Sequence, residues 1–247
     1  YSQCNQNLNI INQNQSAYAV GDTISIEHQL NEYDICYGAE ENGYFESEPK
    51  LILADFNGTL NGGDYKAIVI RINATWWGPC YASIPVWDNI ITQWEDESKL
   101  ILINNLDDLN QPYSCSDWGE NHENSIPLII DGNSVQPTNA MMFNLFAVDN
   151  GYTMFALIDH KMRYFYYIPA APLSLTNNKI SEMLGTMIQG DINVDDIINI
   201  IDLMLILNFI LGNQTLTSYQ EWASDLSNDG LINITDILLI VNIIINS

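Results

Sequence analysis

The chain has 247 residues, and its 31 acidic side chains against seven basic ones give a formal charge of −24. That balance argues against nucleic-acid binding, which needs Lys and Arg on phosphates, and against attraction to an anionic membrane surface. A hydrophobic fraction of 47% excludes an acidic disordered tail and leaves room for one large or two ordinary domains.

In chain order, residues 51–56 read as a strand that ends in an Asn57-Gly58 turn. The β-branched run 67–73 reads as a buried strand, 84–94 has helical spacing, and 100–104 is a further strand. Residues 128–130 run into an Asp131-Gly132 turn, and 140–148 look helical. Residues 154–158 and 162–168 form two strands around a tight turn at His160-Lys161, and 174–188 read as a helix. Strands alternating with helices and closing in a hairpin predict an α/β domain. Pro169, Pro172 and Asn177-Asn178 punctuate its end, and no basic residue follows Lys179. The expected organisation is an N-terminal extension over 1–49, an α/β domain over 50–188 and a small all-α module over 189–247. The most apolar run, 197–211, is broken by Asn199, Asp202 and Asn208, so no membrane span is expected.

Four cysteines, Cys4, Cys36, Cys80 and Cys115, without a CxxC pair suit two disulfides in an oxidising compartment. Of three pairings, order along the chain favours Cys4–Cys36 and Cys80–Cys115; four buried thiols are the alternative. The chain starts at Tyr1 without a leader pattern, as expected of a processed, secreted protein. Sequons at Asn14, Asn57, Asn73 and Asn213 are candidate N-glycosylation sites, whereas a glycan on the fifth, at Asn233, would clash with the role assigned to that residue below.

The strongest signal is a repeat. Residues 191–202 and 225–236 are 12-residue segments with oxygen-bearing side chains at positions 1, 3, 5, 9 and 12. These are Asp191, Asn193, Asp195, Asn199 and Asp202, then Asp225, Ser227, Asp229, Asn233 and Asp236. Such spacing wraps a loop around a hard cation, with position 7 (Ile197, Leu231) giving a backbone carbonyl. Two Ca²⁺ ions are expected, and each loop runs into an apolar helix, over 200–211 and 234–245. The pair resembles the type I dockerin module, from Gly190-Asp191 onward and including Asp rather than Glu at position 12. That resemblance implies a cohesin-like partner, with loop positions 10 and 11 (Ile200, Ile201, Ile234, Thr235) helping to set partner choice. One departure is Asp196 at position 6 of the first loop, where the sharp turn favours Gly, as at Gly230.

The stretch from Val69 through Trp76-Trp77-Gly78-Pro79-Cys80 to Pro85 resembles the strand, loop and helix of extracytoplasmic thioredoxin-like proteins. Leu53-Ala-Asp-Phe-Asn-Gly58 and Gly151-Tyr-Thr-Met-Phe-Ala-Leu-Ile-Asp159 extend the likeness. Dithiol exchange needs an attacking thiolate and a resolving thiol three residues on. Here Trp77 occupies the attacking position, only Cys80 is kept, and Thr153 stands where that family has a cis-proline. A trans bond is expected there, since a cis bond before a non-proline residue is costly.

The sequence therefore predicts a secreted or cell-surface, calcium-binding interaction protein with a redox-inactive thioredoxin-like scaffold. It would dock to a cohesin or to further copies of itself, the latter in a filament or surface layer. The competing reading is a secreted thiol-disulfide oxidoreductase that uses Cys80, free or paired with Cys115.

Overall fold

The computed structural model describes residues 17–148, 151–170 and 172–246. Seven strands form one sheet: β1 (Glu32–Tyr37), β2 (Lys50–Ile52), β3 (Ala67–Ala74), β4 (Leu100–Asp107), β5 (Leu128–Asp131), β6 (Met154–Ile158) and β7 (Tyr164–Pro169). Their order is β2-β1-β5-β4-β3-β6-β7. The central β3, β4 and β5 are parallel, while β1 and β2 at one end and β6 and β7 at the other are antiparallel additions. The α/β class expected for the N-terminal part is observed.

β3 is the axis of the sheet, and all eight of its residues are buried. A strand covered on both faces reads as a nearly continuous apolar run, and the alternation of side chains decides what each face receives. Ile68, Ile70 and Ile72 join a core with Tyr33, Leu53, Ile103, Leu145, Phe146 and Tyr164. Ala67 and Val69 face the other way, onto Trp87 and Ile90 of a helix at Ile84–Trp94 and Ile180 and Met183 of a helix at Leu173–Leu184.

Seven helices matter below: α1 (Gly78–Ala82), α2 (Ile84–Trp94), α3 (Cys115–Gly119), α4 (Leu173–Leu184), α5 (Ile200–Ile210), α6 (Ser218–Ser224) and α7 (Ile234–Asn246). α5 and α7 are the two helices expected after the acidic loops. The second core does not stop at α4. Ile192, Ile206, Tyr219, Ala223 and Ile240 belong to the same cluster as Val69 and Trp87, so sheet domain and C-terminal module share apolar contacts. No described helix is long and apolar enough to cross a membrane.

Several expectations are corrected. Residues 53–56 leave the strand after Ile52 and wind into a 3₁₀ turn that buries Leu53, Ala54 and Phe56. The segment before residue 50 supplies β1, an integral strand whose outward and inward residues alternate at Glu32, Tyr33, Asp34 and Ile35. The helix expected over 140–148 is confined to Met142–Phe146, after a 3₁₀ turn at Thr138–Ala140.

The disulfide pairing is overturned. Cys36 bonds to Cys115, with a Cα–Cα distance of 6.0 Å, and Cys80 is a free, buried thiol. The reason is topological: β1 pairs with β5, and α3 packs on β1, which carries Cys36 to the start of α3 across 79 residues of sequence. Neither Cys4–Cys36 nor Cys80–Cys115 can then form; Cys4 itself lies outside the described residues. The bond still ties the N-terminal segment to the α/β domain. Closing so long a loop contributes about 4 kcal/mol in the chain-entropy estimate.

Two glycosylation candidates are also corrected. Asn73 is fully buried in β3, where its amide donates to Asn104 Oδ1 at 2.6 Å. Asn57 is buried, donating to Gln29 Oε1 at 2.7 Å. A folded chain has no space for a glycan at either. Asn213 is exposed, and Asn14 lies outside the described residues.

Mass spectrometry without reduction is expected to recover a Cys36–Cys115 cross-linked peptide, with Cys80 alkylated only after unfolding. Replacing both Cys36 and Cys115 by Ser is expected to lower stability by roughly 2–5 kcal/mol; a Cys80–Cys115 peptide would refute the pairing.

Candidate functional site

The two acidic loops share one framework of hydrogen bonds and differ at position 3, where Asn193 donates to Asp195 at 2.9 Å and Ser227 donates to Asp225 at 3.2 Å. At position 1, Asp191 accepts from the N–H groups of Asp195 (3.0 Å) and Asp196 (2.8 Å), and Asp225 accepts from Asp229 (3.2 Å) and Gly230 (2.9 Å). At position 5, Asp195 accepts from Ile197 N–H at 2.9 Å and Asp229 from Leu231 N–H at 2.8 Å. At position 12, Asp202 accepts from Asn193 N–H (3.1 Å) and Asn199 N–H (2.9 Å), while Asp236 accepts from Ser227 N–H (3.0 Å) and Asn233 N–H (2.9 Å). The first and last carboxylates thus hold each loop from both ends.

Position 9 has a second job. Asn199 caps α5 by accepting from Ile201 N–H at 2.7 Å, and Asn233 accepts from Thr235 N–H at 2.8 Å at the start of α7. Each amide also donates to the position-7 carbonyl, Ile197 O at 3.0 Å and Leu231 O at 3.1 Å. Such N-caps are worth about 1 kcal/mol each and set where the helices begin.

Among the described residues, no three His, Cys, Asp or Glu side chains converge closely enough to hold a metal ion by themselves. The donor set nevertheless suits a hard divalent cation, which takes six to eight oxygens and draws on amides and carbonyls as well as carboxylates. The carboxylates of Asp191, Asp202 and Asp236 are buried, and among the described residues none has a basic partner. Burial raises the Asp191 carboxyl; the N–H groups of Asp196 and Asp195 oppose this, and the charges of Asp202 and Asp195 add to it. A cation would relieve both burial and like-charge repulsion.

Around these loops lies an apolar, solvent-facing surface. Ile200, Ile201 and Ile234 are 59%, 54% and 64% exposed, and Thr235 is exposed beside them. Met204, Leu238 and Ile245 extend it. The sheet domain covers other parts of the module, so all four positions singled out for a partner stay accessible.

The thiol site is of a different kind. Cys80 lies in α1 just behind Trp77, which stands immediately before the helix and is 40% exposed. The Cys80 Sγ accepts from Thr153 Oγ1 at 2.9 Å. Burial pushes the thiol up from its ordinary value, with the Thr153 hydrogen bond pulling the other way. A buried, protonated thiol is a poor nucleophile. The peptide before Thr153 is trans, as expected, since the cis bonds among the described residues precede Pro112 and Pro137. Thr153 instead holds a left-handed backbone with φ of 68°.

Two buried polar groups under this site were not singled out in the sequence. Arg71, fully buried in β3, donates through Nη2 to Cys80 O (2.8 Å) and Ser83 Oγ (2.7 Å), so it holds the α1–α2 bend rather than a ligand. Asp107, at the end of β4, accepts from Asn105 Nδ2 at 3.0 Å, and burial lifts its carboxyl to about 7. The signal that marks both is a charged residue in a strand rich in apolar residues, within β3 for Arg71 and at the end of β4 for Asp107. His28, His122 and His160 do not come together as a ligand set; His122 is committed to Asp88, with Nδ1 to Oδ1 at 2.6 Å.

Residues 189–245 match the family model of the Dockerin type I domain. The C-terminal segment with the paired acidic loops is thus similar to a dockerin type I domain. A search of the curated proteins finds no match for the chain. Among solved structures, the chain is similar to a thioredoxin-family thiol:disulfide interchange protein from Chlorobium tepidum, at 13% identity and TM-score 0.46, covering 68% of this chain and 100% of that one. It is also similar to an exposed lipoprotein thioredoxin from Streptococcus pneumoniae, at 16% identity and TM-score 0.43, covering 61% and 98%. A third is a secreted disulfide oxidoreductase from Mycobacterium tuberculosis, at 11% identity and TM-score 0.42, covering 64% and 99%.

Because the fold favours protonated Asp107, the folded chain binds more protons than the unfolded one between about pH 4 and pH 7. Stability from this group is therefore expected to fall as pH rises through that window, by at most about 4 kcal/mol. Thermal unfolding of Asp107→Asn is expected to show a flatter pH profile than the parent, and an identical profile would refute the burial argument.

Proposed function

We propose that this chain is a calcium-dependent docking protein whose C-terminal module binds two Ca²⁺ ions and engages a cohesin-like domain outside the cell. The observation that carries this reading is the pair of acidic loops, built on a shared framework of hydrogen bonds and each flanked by exposed residues at positions 10 and 11. The ligands assigned to the first ion are Asp191, Asn193, Asp195, the Ile197 carbonyl, Asn199 and Asp202. Those assigned to the second are Asp225, Ser227, Asp229, the Leu231 carbonyl, Asn233 and Asp236. Asn199 and Asn233, already helix caps, serve each ion mainly by fixing the position-7 carbonyl. Bound Ca²⁺ would neutralise carboxylates that otherwise repel one another, and so favour the closed loops from which α5 and α7 start.

In this reading the thioredoxin-like domain is a carrier and not a disulfide exchanger. Exchange requires a thiolate that attacks and a neighbour that resolves. An indole at Trp77 can do neither, and the Cys80 thiol is buried and bound to Thr153. The Cys36–Cys115 bond is structural.

Calcium titration by calorimetry is expected to find two sites, one lost in Asp191→Ala and the other in Asp225→Ala. Calcium at a hundredfold over its Kd should stabilise the module by about 2.7 kcal/mol per site. A cohesin domain is expected to bind only with calcium present, and Ile200→Asp or Ile234→Asp should weaken binding by about tenfold or more while both ions still bind. Absence of calcium binding would refute the reading. Insulin reduction is expected to stay at background; turnover abolished by Cys80→Ala would show instead that the domain is an oxidoreductase.

A further inference from the structure

The two loops are alike in their internal bonds but not at their left-handed positions. Positions 4 and 6 both have positive φ: Val194 (60°) and Asp196 (69°) in the first loop, Asn228 (55°) and Gly230 (79°) in the second. Gly and Asn tolerate this region, whereas a β-branched valine there is strained. The first loop therefore holds a strained Val194 where the second holds Asn228, and Asp196 where the second holds Gly230, and its surroundings show what they meet. Val194 packs against the shared apolar core. Asp196 Oδ1 meets Lys161 Nζ at 2.5 Å, and among the described residues this is the one salt bridge joining the module to the sheet domain.

Lys161 belongs to the turn between β6 and β7. Its neighbour His160 lies parallel to Tyr219 of α6, with ring centroids 6.2 Å apart, and the Tyr219 hydroxyl donates to the Asp191 carbonyl at 3.3 Å. Tyr219 also packs edge-on to Tyr65, at 5.2 Å. Two adjacent residues of one turn thus reach the loop at positions 1 and 6. Position 1 is tied to position 6 by the hydrogen bond from Asp196 N–H to Asp191. Against the second loop the described residues make no matching ion pair.

We infer that cation binding in the first loop, and not in the second, is coupled to the join between the module and the sheet domain through the β6–β7 turn. The inference rests on the calcium reading above and extends it. The closed loop places Asp196 against Lys161 and the Asp191 carbonyl against Tyr219; an open loop, spread by repulsion among Asp191, Asp195 and Asp202, loses both. Coupling is reciprocal: if calcium fastens the turn, the turn holds the loop in the form that calcium needs. One exposed ion pair contributes little, and the aromatic contact beside it and the half-buried Val194 make the grip more than a single bond. The strain at Val194 is what the loop accepts in exchange for the join.

Hydrogen exchange on the full chain, with calcium alone as the probe and an EDTA-treated control, separates the possibilities. In the parent, calcium is expected to slow exchange in residues 159–163 on the order of fivefold, together with slowing in both loops. The variant Lys161→Gln with Asp196→Asn leaves net charge unchanged. There the second loop should respond as before while the turn no longer does. Asp196→Gly, which suits the left-handed position, should bind calcium and also leave the turn unresponsive. If both loops respond in the parent and the turn does not, the coupling is refuted and the calcium reading stands. If neither loop responds, the calcium reading falls and the coupling with it. A turn that still responds in both variants would refute the role of the Lys161–Asp196 pair.

Discussion

One continuous apolar layer, from Val69 on the sheet through Trp87 and Ile180 to Ile206 and Ile240 on the last helices, fixes where every other group stands. Truncating a single buried isoleucine of this kind to alanine typically costs about 2–5 kcal/mol. The layer orients the module so that its loops meet the sheet domain on one side while the residues at positions 10 and 11 stay in solvent. A net charge of −24 opposes compaction, and a shared core is the short-range force that overcomes it. The acidic loops are then carried on a rigid support and do not have to organise it.

What could be read in the sequence was what depends on local spacing. β3 is legible because a strand buried on both faces carries a dense β-branched apolar run, and α2 because its apolar residues recur at helical intervals. The loops are legible because oxygen donors for one cation must recur at fixed steps. Two missed elements did leave signals. β1 alternates polar and apolar residues from Glu32 to Ile35, and α6 starts with a Thr217 and Gln220 capping box. The cysteine pairing had no local signal, since it depends on β1 lying beside β5, and neither chain order nor spacing encodes that adjacency. The burial of Asn57 and Asn73 has the same origin: a sequon is a local pattern, while accessibility is a property of the packed sheet.

The thiol site is a buried cysteine held in place by the groups around it. Thr153 bonds the Cys80 thiol from one side, and beneath it Asp107 accepts from the Asn105 side chain. Arg71 ties the α1–α2 bend through Cys80 O and Ser83 Oγ. Trp76 donates through Nε1 to Asp108 at 2.7 Å and stacks edge-on with Trp77 and Tyr152. Aromatic rings thus roof the position where a reactive sulfur would have to meet solvent.

The duplicated loops have a consequence for symmetry. In their helix caps and in the bonds of positions 1, 5 and 12 the two halves of the module match, and Ile200-Ile201 and Ile234-Thr235 stand exposed at equivalent positions. Seen from the sheet domain the halves do not match, because Val194 and Asp196 occur once. Exchanging the order of the halves along the chain would preserve the module's composition, charge and internal bonding. It would bring Asn228 and Gly230 to face Lys161, so a module indistinguishable in isolation would no longer fit its own neighbour.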